Sequence, residues 1–175
     1  MDKTLILGGI RSGKSRMAEK LAIQTHLPVT YIATATSEDD EMQARIALHR
    51  ANRPKHWYVI EEPVYLADTL QQNAETDKCI LVDCLTLWLT NLLLHEDDTL
   101  FERQRMALLS LLPQLPGPVI LVSNETSMGV VPMGELTRRY CEEAGKLHQL
   151  LAQQCQHVIL TIAGLPHFLK GGIRA

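Results

Sequence analysis

Six short aliphatic or β-branched runs punctuate the chain: TLIL (4–7), VTYIAT (29–34), WYVIE (57–61), CILVD (79–83), PVILVS (118–123) and HVILTIAG (157–164). Several are apolar at successive positions rather than alternating, which is the pattern of strands covered on both faces in a parallel sheet. Between them, apolar positions recur at helical spacing over 14–25, 38–52, 64–74, 98–112 and 134–155, and CLTLWLTNLLL reads as a further helix directly after CILVD. Strand and helix in alternation predict an α/β fold with a largely parallel central sheet and helices on both faces. LPQLPGP (112–118) reads as a helix-to-strand turn and EDD (96–98) as the flank of a helix N-terminus, whereas the tail LPHFLKGGIRA carries no readable pattern. With no repeat, low-complexity tract or linker, the expectation is one domain over residues 1–175.

Composition narrows the partners. The chain has 46% hydrophobic and 21% charged residues and a net charge of −3, so it lacks the basic excess that draws proteins to nucleic acid or anionic membranes. The longest apolar stretch, CILVDCLTLWLTNLLL, is interrupted by Asp83, Thr86 and Asn91 and is too short to span a bilayer, so no membrane insertion is expected. MDKTLILGG is too short an apolar run for a signal peptide. Cys79, Cys84, Cys141 and Cys155 form no CxxC pair and read as reduced core thiols of a cytoplasmic protein.

The first strand runs straight into GGIRSGKS. Gly8, four intervening residues, then Gly13-Lys14-Ser15 satisfy GxxxxGK[ST], with a strand before and a helix after. Glycines let the backbone curl so that successive N–H groups face a phosphate chain, and the following helix adds its positive N-terminal end. Lys14 reaches toward the β and γ phosphates, and the Ser15 hydroxyl suits Mg²⁺. Asp83 closes the CILVD strand, where a P-loop protein holds Mg²⁺ or its water; the alternative is that it caps the next helix.

Among nucleotide-binding classes, a regulatory GTPase would need Asn-Lys-x-Asp and Asp-x-x-Gly, and neither occurs. A nucleic-acid motor of similar fold would carry a basic face. A small-molecule phosphotransferase suits the length and the acidic balance. The run EMQARIALHRANRPKHW (41–57) raises a separate question, because His49 falls in register with Met42 and Ile46 and so extends an apolar helical stripe, yet stands among Arg45, Arg50 and Arg53.

The segments GGIRSGKS, YIATA, DDEMQARIALHRANRPKHW, CILVDCLTLWLTNLL, LVSNETSMGVVP and LTRRYCEEAGKLHQLLA, in this order, resemble the bifunctional adenosylcobinamide kinase / adenosylcobinamide-phosphate guanylyltransferase family of cobalamin biosynthesis. The resemblance implies a RecA-like P-loop NTPase fold, ATP or GTP as substrate with Mg²⁺, and adenosylcobinamide and its phosphate as acceptors. It also implies a homotrimer. It assigns His49 as the nucleophile that attacks the α-phosphate of GTP and carries GMP, a role open to an imidazole with an unperturbed pKa of about 6.5. Nucleotide contacts implied by the match are Gly8, Gly9, Ile10, Arg11, Ser12, Gly13, Lys14 and Ser15 of the loop. Further contacts are Ala33, Thr34 and Ala35; Arg50, Ala51, Asn52 and Arg53; Glu61, with Glu62 as its alternative; and Asp83, with Ser15 and Asp83 on the metal. Asn124 and Glu125 are expected either to meet substrate or a second subunit or to serve as a turn and cap. The LTRRYCEEAGKLHQ helix reads as mostly packing, with Arg138 and Arg139 able to approach phosphates. The family often has glutamate where this chain has Asp83.

Overall fold

The computed structural model describes residues 2–36 and 54–172. Its strands are β1 (Lys3–Gly8), β2 (Val29–Ala33), β3 (Tyr58–Glu61), β4 (Cys79–Asp83), β5 (Val119–Asn124), β6 (His157–Ile162) and β7 (Leu165–Lys170). The helices are α1 (Lys14–Gln24), α2 (Leu66–Asn73), α3 (Leu85–Leu93), α4 (Leu100–Leu111) and α5 (Glu135–Gln154). One seven-stranded sheet runs in the order β3-β2-β4-β5-β1-β6-β7, and all pairings are parallel except β6 with β7. The six apolar runs all form strands, each within two residues of its expected ends. The expected helix over 38–52 lies outside the described residues.

Unbroken apolar runs become the central strands because both faces are covered. Leu5 and Leu7 of β1 and Ile80 and Val82 of β4 face one layer, packed by Leu66 and Leu70 of α2, Trp88 of α3, Leu108 of α4 and Leu147 of α5. Ile6 and Leu81 point the other way, toward Ala18 and Ala22 of α1 and toward Trp57. Alanines four residues apart put two small side chains on one helical face, so α1 sits close to the strands that flank the phosphate loop. Trp88 is wholly buried, and its indole N–H donates to the Val64 carbonyl at 2.8 Å, which ties α3 to the lead-in of α2.

The LPQLPGP turn is set by long-range contacts. Gly117 has φ +72°, and a Cβ there would overlap the Glu75 carbonyl oxygen and lie 2.7 Å from that of Lys78. The buried Lys3 ammonium donates to the Leu115 and Gly117 carbonyls at 2.9 and 2.7 Å, so the start of β1 holds the turn that feeds β5. The EDD flank also behaves as expected: Asp97 Oδ1 accepts the Thr99 amide at 2.9 Å just ahead of α4.

Two readings change. The tail is not featureless: Leu165–Lys170 forms β7, antiparallel to β6 through a tight turn at Ala163 (φ 51°) and Gly164 (φ 79°). Two consecutive positive φ values match a two-residue hairpin, and Pro166 is tolerated because β7 is an edge strand, where the missing N–H breaks no ladder. Among the four free thiols, Cys79, Cys84 and Cys155 are buried, but Cys141 is only half-buried, beside Thr126. No helix among the described residues is long and apolar enough to cross a membrane.

Candidate active site

All six parallel strands present their C-terminal ends at one edge of the sheet, where the loops that follow them converge. The loop after β1 is wound tightly. Ser12 N donates to Gly9 O at 3.2 Å, Lys14 Nζ to Gly9 O at 3.1 Å and Met17 N to Gly13 O at 3.0 Å, while Arg11 and Gly13 have φ of 54° and 96°. Gly8 has no room for a side chain, since a Cβ would overlap the Ser12 hydroxyl and lie 2.7 Å from the Thr161 carbonyl oxygen. The β6–β7 turn braces the loop from outside, with Gly164 N donating to Ser12 O at 2.9 Å. α1 begins at Gly13 with no side-chain cap among the described residues, so its first N–H groups face the loop's interior, an arrangement suited to an anion. The hydroxyls of Ser12 and Thr161 are buried there without a hydrogen-bond partner among the described residues.

Beyond β5, on the far side from β6, β4 brings Asp83 to the same edge. Asp83 is not a helix cap: the residue at the N-terminal boundary of α3 is Cys84, which makes no side-chain cap bond. Asp83 Oδ2 instead accepts the Tyr31 hydroxyl at 3.0 Å. Thr34 is fully buried, its hydroxyl donating to Cys84 O at 2.6 Å and accepting from Cys84 N at 3.0 Å. Asn91 Nδ2 of α3 donates to the Thr34 and Pro63 carbonyls at 2.9 and 3.0 Å. Thr34 therefore clasps the ends of β2 and β4 and sets the height at which Ala33, Ala35 and Asp83 stand. Cys84, which lies within the field of Lys14, is no nucleophile here: burial pushes its thiol up to about 11, with the Asp83 charge adding to the effect.

The adjacent acidic pair is divided by hydrogen bonding. Glu62 Oε1 accepts the Val64 and Tyr65 amides at 2.8 and 2.7 Å and so turns the chain into α2, whereas Glu61 stands exposed at the end of β3. Glu62 is thus committed to the turn into α2.

One relay escaped the sequence reading. On β5, Ser123 is fully buried and its hydroxyl meets His148 Nε2 of α5 at 2.8 Å, while His148 Nδ1 lies 3.9 Å from Glu125 Oε2. Glu125 Oε1 accepts the Ser127 amide at 2.6 Å, and Glu125 N donates to Gly8 O at 2.9 Å, linking this cluster to the phosphate loop. Burial lowers the His148 pKa below its ordinary 6.5, a change that the Glu125 charge only partly opposes. The unfolded chain therefore binds this proton first as pH falls. The stability contribution is complete above about 6.5 and is lost on acidification through the interval down to the lowered folded value. Denaturant midpoints measured from pH 7.5 to 5.5 are expected to fall more steeply for the wild type than for His148→Gln, by at most about 1.4 kcal/mol per pH unit. Parallel curves would remove His148 as the titrating group.

The loop between β1 and α1, with Asp83 at the end of β4 on the same edge, has the form suited to a phosphate chain, and the comparisons identify the family. Residues 4–169 match the family described as cobinamide kinase / cobinamide phosphate guanyltransferase. The chain belongs to this family. It is accordingly an adenosylcobinamide kinase and adenosylcobinamide-phosphate guanylyltransferase. It is 60% identical over 169 residues to the bifunctional adenosylcobalamin biosynthesis protein CobP of Pseudomonas aeruginosa, covering 97% of this chain and 98% of that protein. To the CobU proteins of Escherichia coli and Salmonella typhimurium it is 37% identical over 174 residues, with 92% of this chain and 96% of each relative covered. The fold is shared more widely. The RadB recombinase superposes with a TM-score of 0.54 at 16% identity, over 99% of this chain and 83% of its own. The type III secretion ATPase EscN of enteropathogenic E. coli gives 0.56 at 13% identity, over 93% of this chain and 43% of its own. At these identities the likeness is one of fold.

The family match runs into β7 as far as Leu169, so the beginning of the tail read as patternless is family sequence. Lys14 and Ser15, Ala33 to Ala35, Glu61 and Asp83 all lie at the strands' C-terminal edge. Arg45, His49, Arg50, Ala51, Asn52 and Arg53 lie outside the described residues. Arg138 is turned to another use, since its guanidinium donates to the Pro132 and Met133 carbonyls at 3.2 Å and holds the β5–α5 connection; Arg139 is exposed.

Proposed function

We propose that this enzyme runs both reactions as one folded unit on the loop-bearing edge, first phosphorylating adenosylcobinamide and then carrying GMP to the product on His49. In the kinase step the amides of Gly8 to Ser15 and the N-terminus of α1 bind the triphosphate, and Lys14 leaves the Gly9 carbonyl to meet the β and γ phosphates. Ala33, Ala35, Glu61 and Asp83, together with Arg50, Ala51, Asn52 and Arg53, complete the nucleotide contacts, whereas Thr34, expected among them, is fully buried and acts by holding Ala33 and Ala35 in place. The observation that carries this reading is the P-loop itself: a helix start with no side-chain cap, a lysine within reach and a carboxylate on the strand beyond β5.

The donor set fits Mg²⁺. A triphosphate-bound magnesium needs few protein oxygens, and Ser15 with Asp83 supplies a hydroxyl and a carboxylate without the three-residue cluster that is absent among the described residues. Bound there, the ion would neutralise charge on the transferring phosphoryl group. Tyr31, by donating to Asp83, fixes the carboxylate's orientation.

In the second step the His49 imidazole attacks the α-phosphorus of GTP, a P–N bond forms, and pyrophosphate leaves. The phosphate oxygen of adenosylcobinamide phosphate then takes the GMP, releasing His49 and giving adenosylcobinamide-GDP. Arg45, Arg50 and Arg53 offset the phosphate charge. The same reading includes a cytoplasmic homotrimer.

Incubation with Mg²⁺ and GTP labelled at the α-phosphate, followed by denaturation, tests the intermediate. The wild type is expected to retain acid-labile, base-stable label and His49→Ala none. A wild type that binds GTP yet retains no label removes the covalent His49–GMP step.

A further inference from the structure

The connection between β5 and α5 pairs an ordered backbone with an apolar surface. Glu125 N is bonded to Gly8 O at 2.9 Å, Ser127 N to Glu125 Oε1 at 2.6 Å, and the Arg138 guanidinium to Pro132 O and Met133 O, both at 3.2 Å. Thr126 meets Cys141 of α5 at 3.6 Å. Along this anchored course, Met128, Val130, Val131 and Met133 stand 71%, 95%, 70% and 98% exposed. Four large apolar side chains held in water on one short, tethered segment are a cost without return in the chain by itself, and such a patch marks a binding surface.

Its position selects the occupant. β5 lies between β4 and β1, with Asp83 in register with Val122 and Gly8 with Asn124. The segment therefore rises between the metal-side carboxylate and the phosphate loop. In the corrinoid kinase reading above, on which this inference rests, the acceptor hydroxyl must reach the γ-phosphate at that place. The hydroxyl hangs from a corrin macrocycle, a broad body with methyl-rich faces, too large to enter the phosphate loop, so it must rest on whatever apolar surface adjoins the loop. The β6–β7 turn, whose Ile162 and Leu165 are also exposed, sits beyond β1 on the side away from Asp83, with its Gly164 amide bonded to Ser12. We propose that the β5–α5 connection is the corrinoid platform: Met128, Val130, Val131 and Met133 pack against the macrocycle and leave its hydroxyl tether directed toward Gly8 and Lys14.

Val130→Ser/Met133→Ser tests this, because the two side chains are almost wholly exposed and their loss leaves no cavity in the fold. The KM for cobinamide, and its Kd by equilibrium dialysis against dicyanocobinamide, are expected to rise together by roughly tenfold to a hundredfold. The KM for nucleotide and the kcat at saturating cobinamide stay unchanged, as does the sedimentation coefficient. Unaltered KM and Kd for cobinamide overturn the platform. So does a rise that appears only with a change in sedimentation, which would make the patch a contact between copies of the chain. A wild type that binds nucleotide and dicyanocobinamide but transfers no phosphoryl group counts against the kinase reading, while its dialysis constants still decide the platform.

Discussion

Lys14→Ala is expected to lower kcat/KM for phosphoryl transfer by roughly 10²- to 10⁴-fold, the range found when a preorganised positive donor is removed from a developing anion. The lysine is the first residue of α1, with its ammonium 3.1 Å from Gly9 O, beside Gly8, which has no room for a side chain, and Gly13, whose φ of 96° favours glycine. Water entering the space replaces its charge poorly, because the phosphate oxygens spread their charge most in the transition state. The fold should survive, since Lys14 is half-exposed and the helix gains a residue of higher propensity. Circular dichroism and steady-state kinetics on one preparation separate the two effects. Undiminished transfer by a folded variant would mean that the loop is a turn and not a phosphate cradle.

Trp88→Ala is expected to produce the largest loss of stability, about 3–5 kcal/mol, read as a fall in the urea midpoint. The indole is fully buried between α3 and its neighbours, and its N–H is committed to Val64 O at 2.8 Å. Truncation leaves both a cavity and an unpaired carbonyl, so two penalties add. With a typical total of about 5–15 kcal/mol, the variant would stand near the edge of unfolding. Trp88→Phe keeps most of the ring and should cost only about 1–3 kcal/mol, mainly the orphaned Val64 carbonyl and the lost part of the ring. The effect extends to function because α3 follows Asp83 directly and carries Asn91, which pins Thr34 and Pro63. Nucleotide affinity should therefore decline in Trp88→Ala under conditions where the protein is still folded. An unchanged midpoint would show that the surrounding leucines collapse into the space.

The β6–β7 hairpin shows why the tail defied reading. β7 has no apolar alternation, being an exposed edge, and its pairing depends on the Ala163–Gly164 turn and on its neighbour β6. The acidic pair is similar. Nothing in the letters assigns Glu62 to the turn into α2; the amides of Val64 and Tyr65 do.

What this chain settles by sequence alone is what neighbouring residues decide together. The phosphate loop is a contiguous motif in which glycine spacing, lysine and serine act within one turn of chain, and the parallel sheet follows from apolar runs short enough to read locally. The family, too, is legible in ordered segments along nearly the whole chain. Tertiary structure alone brought Thr34 to Cys84, 50 residues away, and Ser123 to His148, 25 residues away, and placed the apolar β5–α5 connection between Asp83 and Gly8. The physical reason is that a hydrogen bond or a buried contact between distant segments leaves no periodic trace in either one. It exists only once the sheet order has closed the long loops between them.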